Sequence, residues 1–374
     1  MPRLISSIAL ILVMATGLRA DEPNAVRDPV AQSLPLRTAL HQDPSLTAPL
    51  DQMLGMFRQQ NRLDDLLAIY RNHLAQFADD KHAETVFVRL LVAVADPAAP
   101  ARAKAAVERF PQDAYLRFLH YSALKLRHDS QALDELDRAI GLETVSERKA
   151  AWIDLLVPQA IVAGKKDLAE KHLQALAALA VSPEGQLEAA RKMNQYKFYE
   201  LALKTLNTAR AKPLAPETMV ALELEAAAAE LGLTKREAAG ERLDALLAKL
   251  TADHWRRAEI VARRLSLLDT PEARDAMANA AHERVKRRPG DIAAVLDLVQ
   301  ILSGLQQRQD ALSVLLAAGE QYPKSEQIER QTLEIRSLAQ RTGPGKVPGR
   351  SHSGSAASPG SAAAARENVV PPPP

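Results

Sequence analysis

The sequence predicts an all-α protein: a right-handed α-solenoid of about eight two-helix hairpins, with a disordered tail behind it. Three observations lead there. Apolar residues recur at i, i+3, i+4 and i+7, the period of a helix with one buried stripe. Apolar triplets return along the chain at a nearly constant step. The composition is 47% hydrophobic but only 4% aromatic, and its alanine and leucine content favours helix.

The stretch from Asp291 to Pro323 is the clearest copy of the unit. It holds one apolar pattern at Ile292, Val295, Leu298, Val299 and Leu302, and a second at Ala311, Leu312, Leu315, Leu316 and Ala318. The polar turn Gln306 to Asp310 separates them. Two helices joined so closely pack antiparallel, and one such hairpin leaves an apolar face bare until another stacks on it.

In chain order, residues 1–20 carry Arg3, an apolar run from Leu4 to Met14 and Leu18-Arg19-Ala20 before Asp21, the pattern of a cleavable signal peptide. The run is shorter than the roughly 18 apolar residues a spanning helix needs, so no transmembrane span is expected after cleavage. The protein is therefore expected to be exported, periplasmic or secreted. With no cysteine it must be stable through packing alone. Residues 21–46, with prolines at 23, 29, 35 and 44, are expected to form an extended lead-in with at most a short helix from Leu36 to His41.

The solenoid is expected over residues 47–340. Its hairpins are anchored at Leu66/Tyr70/His73, Ala99/Ala103/Ala106, Ala132/Leu136/Ala139, Ala169/Leu173/Leu176, Ala202/Leu206/Ala209, Ala239/Leu243/Leu246, Ala276/Ala280/Glu283 and Ala311/Leu315/Ala318. The steps are 33, 33, 37, 33, 37, 37 and 35 residues. Prolines 97, 111, 183, 213, 216, 271, 289 and 323 fall near helix ends, whereas Pro158 lies inside an apolar run and predicts a kink or a split helix. Ser325 to Gln340 forms a capping helix, with Ile328, Ile335 and Leu338 closing the last hairpin. From 341 to 374 the chain is rich in Gly, Pro, Ser and Ala, lacks apolar periodicity and is expected to be disordered.

The spacing of Leu302, Ala311, Leu315, Ala318 and Pro323, and of Tyr199, Ala202, Leu206 and Ala209, resembles that of tetratricopeptide repeats. The resemblance covers about residues 47–323 and is degenerate. Where the family has a tryptophan and a leucine-glycine pair, this chain has Leu116 with Leu119-His120, or Val295 with Leu298-Val299, which implies looser or altered stacking. The resemblance implies that the first helix of each hairpin lines a concave groove. Carried over by position, it nominates Arg117, Tyr121, Lys125, Arg191, Asn194 and Gln300 as partner-binding residues. The family's clamp for a C-terminal carboxylate is not matched, and Glu184 and Glu188 would repel such a group.

No catalytic, cofactor or metal signature is found. His282-Glu283 lacks the second histidine one turn on, no serine sits in a GxSxG elbow, and GPGKVPG at Gly343 has no Ser or Thr after its lysine. His172 is expected to be an ordinary helix residue. Asp64-Asp65 and Asp134-Glu135-Asp137 are expected on solvated faces. Arg256, Arg257, Arg263 and Arg264 form a basic stripe, but residues 21–340 hold 42 bases against 45 acids, which argues against nucleic acid. The expectation is a non-catalytic scaffold that binds a protein or peptide in the cell envelope. The alternatives are a structural subunit of an envelope export or assembly complex, and a polysaccharide-active enzyme with a helical core, against which the sparse aromatics argue.

Overall fold

The computed structural model describes residues 28–251 and 254–341, and every regular element among them is a helix. The signal pattern, the first residues of the lead-in and the tail beyond 341 lie outside the described residues. No described helix is long and apolar enough to cross a membrane. The chain divides into two compact units, Met1–Leu233 and Thr234–Pro374.

The first unit opens with two short helices, α1 (Pro29–Gln32) and α2 (Leu34–Gln42), a longer helical entry than the sequence suggested. Proline stands in the first turn of each, where a missing N–H costs nothing. Five hairpins come next: α3 (Thr47–Gln59) with α4 (Leu63–Gln76), α5 (Lys81–Ala93) with α6 (Ala99–Arg109), α7 (Ala114–Leu126) with α8 (Ala132–Leu142), α9 (Ser146–Val162) with α10 (Lys166–Leu179), and α11 (Pro183–Gln195) with α12 (Tyr199–Arg210). Leu40 of α2 is fully buried, and α2 packs on α3 and α5. Each second helix also packs on the first helix of the next hairpin, and α13 (Pro216–Gly232) stacks on α11 and α12. The apolar core runs through the stack, from Leu40 to Ala123 and from Tyr121 to Ala229.

The turns inside the hairpins share one geometry. Asn61, Ala95, His128, Gly164 and Lys197 all have φ between +53° and +73°, one per hairpin. The N–H of the residue after each returns to a carbonyl five positions back: Arg62 to Phe57, Asp96 to Leu91, Asp129 to Leu124, Lys165 to Ala160 and Phe198 to Met193, at 2.8–3.1 Å. This is the Schellman closure, which satisfies the last carbonyls of a helix and stops it. Only Gly164 is a glycine, so the other four turns hold L-residues in a conformation that costs them roughly 1–2 kcal/mol. At the opposite ends, Asp80, Asp113 and Ser182 cap α5, α7 and α11 by accepting from the N–H groups of Ala83, Leu116 and Gly185.

The expected split at Pro158 does not occur: α9 runs unbroken from Ser146 to Val162. Trp152, Ile153, Leu156, Val157 and Ala160 bury one side of it completely enough to hold the helix across the missing N–H. At Gly232, a Cβ would stand 2.4 Å from the Tyr199 ring, so the absence of a side chain there lets α12 and α13 close.

The second unit contains α14 (Arg236–Lys249), α15 (Arg257–Ser266), α16 (Pro271–Arg287), α17 (Ile292–Gly304), α18 (Arg308–Gln321) and α19 (Glu326–Arg341). Helix α17 packs on α15, α16 and α18, and its turn to α18 repeats the closure, with Gln306 at φ +64° and Gln307 N–H on the Leu302 carbonyl. Seven of the eight predicted anchor sets lie within helices with their leading residues buried. The seventh is corrected: Ala276, Ala280 and Glu283 are exposed, and Ala278 and Ala281 turn inward instead. Ile328 and Ile335 of α19 close the last hairpin, whereas Leu338 is 40% exposed.

The turns give a direct test. A Cβ at Gly164 would meet nothing within 4 Å, so Gly164→Ala exposes the backbone term alone. It should lower stability by roughly 1–2 kcal/mol, while Lys197→Gly should leave it unchanged or raise it by up to about 1 kcal/mol. Denaturant titration of both variants decides this, and equal losses in the two would refute the turn assignment.

Candidate functional site

Helices α7 and α9, the first helices of two successive hairpins of unit 1, run side by side and parallel. The Arg148 guanidinium of α9 lies 5.9 Å from the Tyr115 ring of α7, Phe118 stacks on Trp152 at 4.7 Å with rings 4° apart, and Gln159 donates to the Tyr121 hydroxyl at 2.9 Å. Contacts thus advance together along both helices.

The residues nominated from sequence fare differently on this face. Tyr121 is buried at 2% exposure, so the expected surface strip Arg117–Tyr121–Lys125 does not exist. A helix inside the stack is covered by its hairpin partner and by neighbours on both sides, so its buried arc is wide enough to include Tyr121. Arg117 is half-buried, pairing with Glu135 at 3.3 Å and donating to the Pro111 carbonyl. Leu116, Leu119 and Ala123 do face the core. Lys125 is exposed, with its ammonium 5.6 Å from the Tyr121 ring. Arg191 pairs with Glu188 and Glu225, and Asn194 donates to the carbonyl and carboxylate of Glu225, so both brace α11 to α13.

What the sequence reading missed is apolar. On α9, Leu155 is 40% and Val162 90% exposed, and with exposed Ala151 and half-buried Pro158 they make one stripe at i, i+4, i+7 and i+11. Leu126, 50% exposed, ends α7 at the same end as Val162. The signal was in the sequence, because WIDLLVPQAIV is apolar on more sides than one core needs.

Unit 2 holds a different cavity of about 500 Å³, lined by α15, α17 and α19. Gln300 is there, donating to Gln331 at 3.1 Å. Trp255 stands beside it, 73% exposed. Arg257 and Asp297 line the cavity as a buried bidentate pair, 2.7 Å at both contacts, and Arg257 also donates to the carbonyls of Leu247 and Leu250. The basic stripe expected here is tied up in ion pairs: Arg256 and Arg263 share Glu259, and Arg264 pairs with Asp244. The Arg256 hydrogen bond is the largest cause holding Glu259 below the usual carboxylate range. Among the described residues no group of three or more His, Asp or Glu could hold a metal ion.

No protein-family model matches the chain, and no curated protein matches it. Among solved structures it is similar to a chain of the crystal structure of the APC/C hetero-tetramer Cut9-Hcn1, at 15% identity and TM-score 0.30, covering 82% of this chain and 52% of that one. It is also similar to the P58(IPK) TPR domain, at 13% identity and TM-score 0.22, covering 78% and 98%. The chain spans about half the length of the first. Hairpin order, repeat step and turn geometry therefore carry the fold assignment. The array is tetratricopeptide-like.

Within the tetratricopeptide-like array, α8 departs from the solvated acidic face expected for it. Glu135 is buried and meets Arg138 at 2.6 Å, Arg117 at 3.3 Å and His120 at 3.5 Å. Asp137 accepts from Lys171 and from buried His172, each at 2.7 Å. Burial alone would raise Asp137, but these two hydrogen bonds outweigh it and hold the carboxyl below its ordinary value. Burial pushes both His120 and His172 down, outweighing their carboxylate partners.

Below the ordinary histidine pKa of about 6.5 the unfolded chain takes up protons that the folded imidazoles refuse, so this stability is present above that pH and is lost as pH falls toward the lowered folded values. The unfolding midpoint should fall between pH 7 and pH 5, before the carboxylates titrate. His120→Gln/His172→Gln should flatten that segment, and an unchanged slope in the double variant would assign the effect elsewhere.

Proposed function

We propose that the protein is an exported, non-catalytic scaffold that holds a protein or peptide segment on the first-helix face of unit 1. The observation that carries this is the stripe Ala151, Leu155, Pro158 and Val162 with Leu126 beside it, apolar surface the hairpin stack leaves in water. Contiguous apolar surface of this kind marks an interaction site. Lys125 and Arg127 lie exposed at the same end of α7. They favour a partner segment carrying acids next to its apolar residues. Export is supported by the charge and apolar pattern of residues 1–20, with the mature chain beginning at Asp21.

Photo-crosslinking side chains placed at 155 and 162 in the full chain should capture a discrete partner in the envelope fraction, and Leu126→Asp should abolish the adducts. The control position is Lys204, exposed on second helix α12. Equal adducts at 204, or none at 155 and 162, would overturn the assignment. Because Leu155 and Val162 are exposed, changing them should alter stability by less than about 0.5 kcal/mol. Recovery of the protein from the cytosol with residues 1–20 intact would defeat the export reading alone.

A further inference from the structure

The unit 2 cavity differs in chemistry from the apolar stripe and stands independently of it. Its strongest charges are already spent, since the guanidinium of Arg257 grips the carboxylate of Asp297 at two contacts and also donates to the Leu247 and Leu250 carbonyls. The remaining polar groups are planar and of mixed character. Gln327 and Gln331 offer carboxamides, and Glu326 and Arg330 add one carboxylate and one guanidinium without an ion pair among the described residues. Gln331 is already oriented, accepting from Gln300 and donating to Glu334 at 3.2 Å. Such a set neither attracts nor repels net charge. It offers donors and acceptors side by side, the complement of groups that are both, as hydroxyls are.

Trp255 supplies the apolar element. An anchor side chain from a protein partner needs an enclosed, desolvated pocket, but this indole, although Arg256 stands 5.4 Å over its ring and His254 stacks beside it at 6.4 Å, is still 73% exposed and presents a plate rather than a hole. A ligand that fits has one flat C–H face and a rim of hydroxyls. The cavity of about 500 Å³ lies within the range of roughly 300–1,000 Å³ typical of small-ligand sites. We infer that this cavity binds neutral pyranose sugar, with the ring laid on Trp255 and its hydroxyls taken by Gln327, Gln331, Glu326 and Arg330.

The chain has two tryptophans, and the other, Trp152, is buried in unit 1. Trp152→Phe therefore makes Trp255 the only indole reporter, and circular dichroism confirms that this full-length background is folded. Titration with cellotetraose, a tetramer of N-acetylglucosamine, and glucose should change Trp255 emission saturably, with a Kd of about 1 mM or tighter for at least one of them. Tighter binding of a tetramer than of glucose identifies a segment of glycan, and equal binding identifies a free sugar; either supports the site. By calorimetry on the otherwise wild-type chain, Trp255→Ala should weaken binding at least about tenfold and Gln327→Ala about threefold or more, while Leu155→Asp in unit 1 should leave it unchanged. Silence with all three sugars up to about 10 mM, or undiminished binding by Trp255→Ala, would overturn the inference.

Discussion

In the hairpins of α3 to α12 and of α17 with α18, everything depends on where the first helix stops, and that point is set by a single backbone conformation. A residue at positive φ turns the chain so that the next N–H reaches back to a carbonyl of the buried residues Phe57, Leu91, Leu124, Ala160, Met193 and Leu302. The anchor of the second helix then lies in its first turn, four or five residues beyond the positive-φ residue: Leu66 after Asn61, Ala99 after Ala95, Ala132 after His128, Ala169 after Gly164, Ala202 after Lys197 and Ala311 after Gln306. The repeat step is thus a distance between turns, and the apolar anchors follow from it. Carbonyls left open at those buried helix ends would cost more than the strain of an L-residue at positive φ, which is why the conformation persists without glycine.

That origin explains what the sequence disclosed. Anchors were legible because a residue at a helix–helix contact must be small or apolar. The turns were not, because Asn61, Ala95, His128, Lys197 and Gln306 share no side-chain chemistry and contribute only their backbone. The seventh anchor slipped because several alanines of α16 offer the same spacing in adjacent registers, and only tertiary packing chooses Ala278 and Ala281 over Ala276 and Ala280. Tyr121 was misplaced for a related reason. Counting four residues along a helix gives a shared face, but the number of neighbours covering that helix decides whether the face meets water.

Charged residues were the other source of error, and the repeat again accounts for it. Many polar contacts join residues about one repeat apart: Lys171 to Asp137, Arg191 to Glu225, Lys165 to Asp134, and in unit 2 Gln300 to Gln331. In sequence such residues look like isolated surface charges. In the stack they face one another across adjacent hairpins. The exposed pairs contribute little energy. Glu135 and Asp297 are different, since each is a buried carboxylate compensated by arginine, and removing one partner would strand the other. Such pairs tie neighbouring helices in one register more tightly than alanine contacts can.

A fold that satisfies its turns, anchors and charges internally also indicates which residues it does not use. Leu126, Leu155 and Val162 contribute no core, yet they occupy the helices that stack one repeat on the next, where lysine or glutamate would serve stability equally well. Trp255, with Arg256 5.4 Å over its ring, is nevertheless 73% exposed beside a cavity whose buried ion pair is complete without it. The two exceptions are also unlike each other. One is a flexible aliphatic stripe suited to covering a partner's apolar side chains, the other a rigid plate among fixed hydrogen-bonding groups. A single ligand chemistry does not match both, and so the binding proposed for unit 1 and the binding proposed for unit 2 can be tested separately.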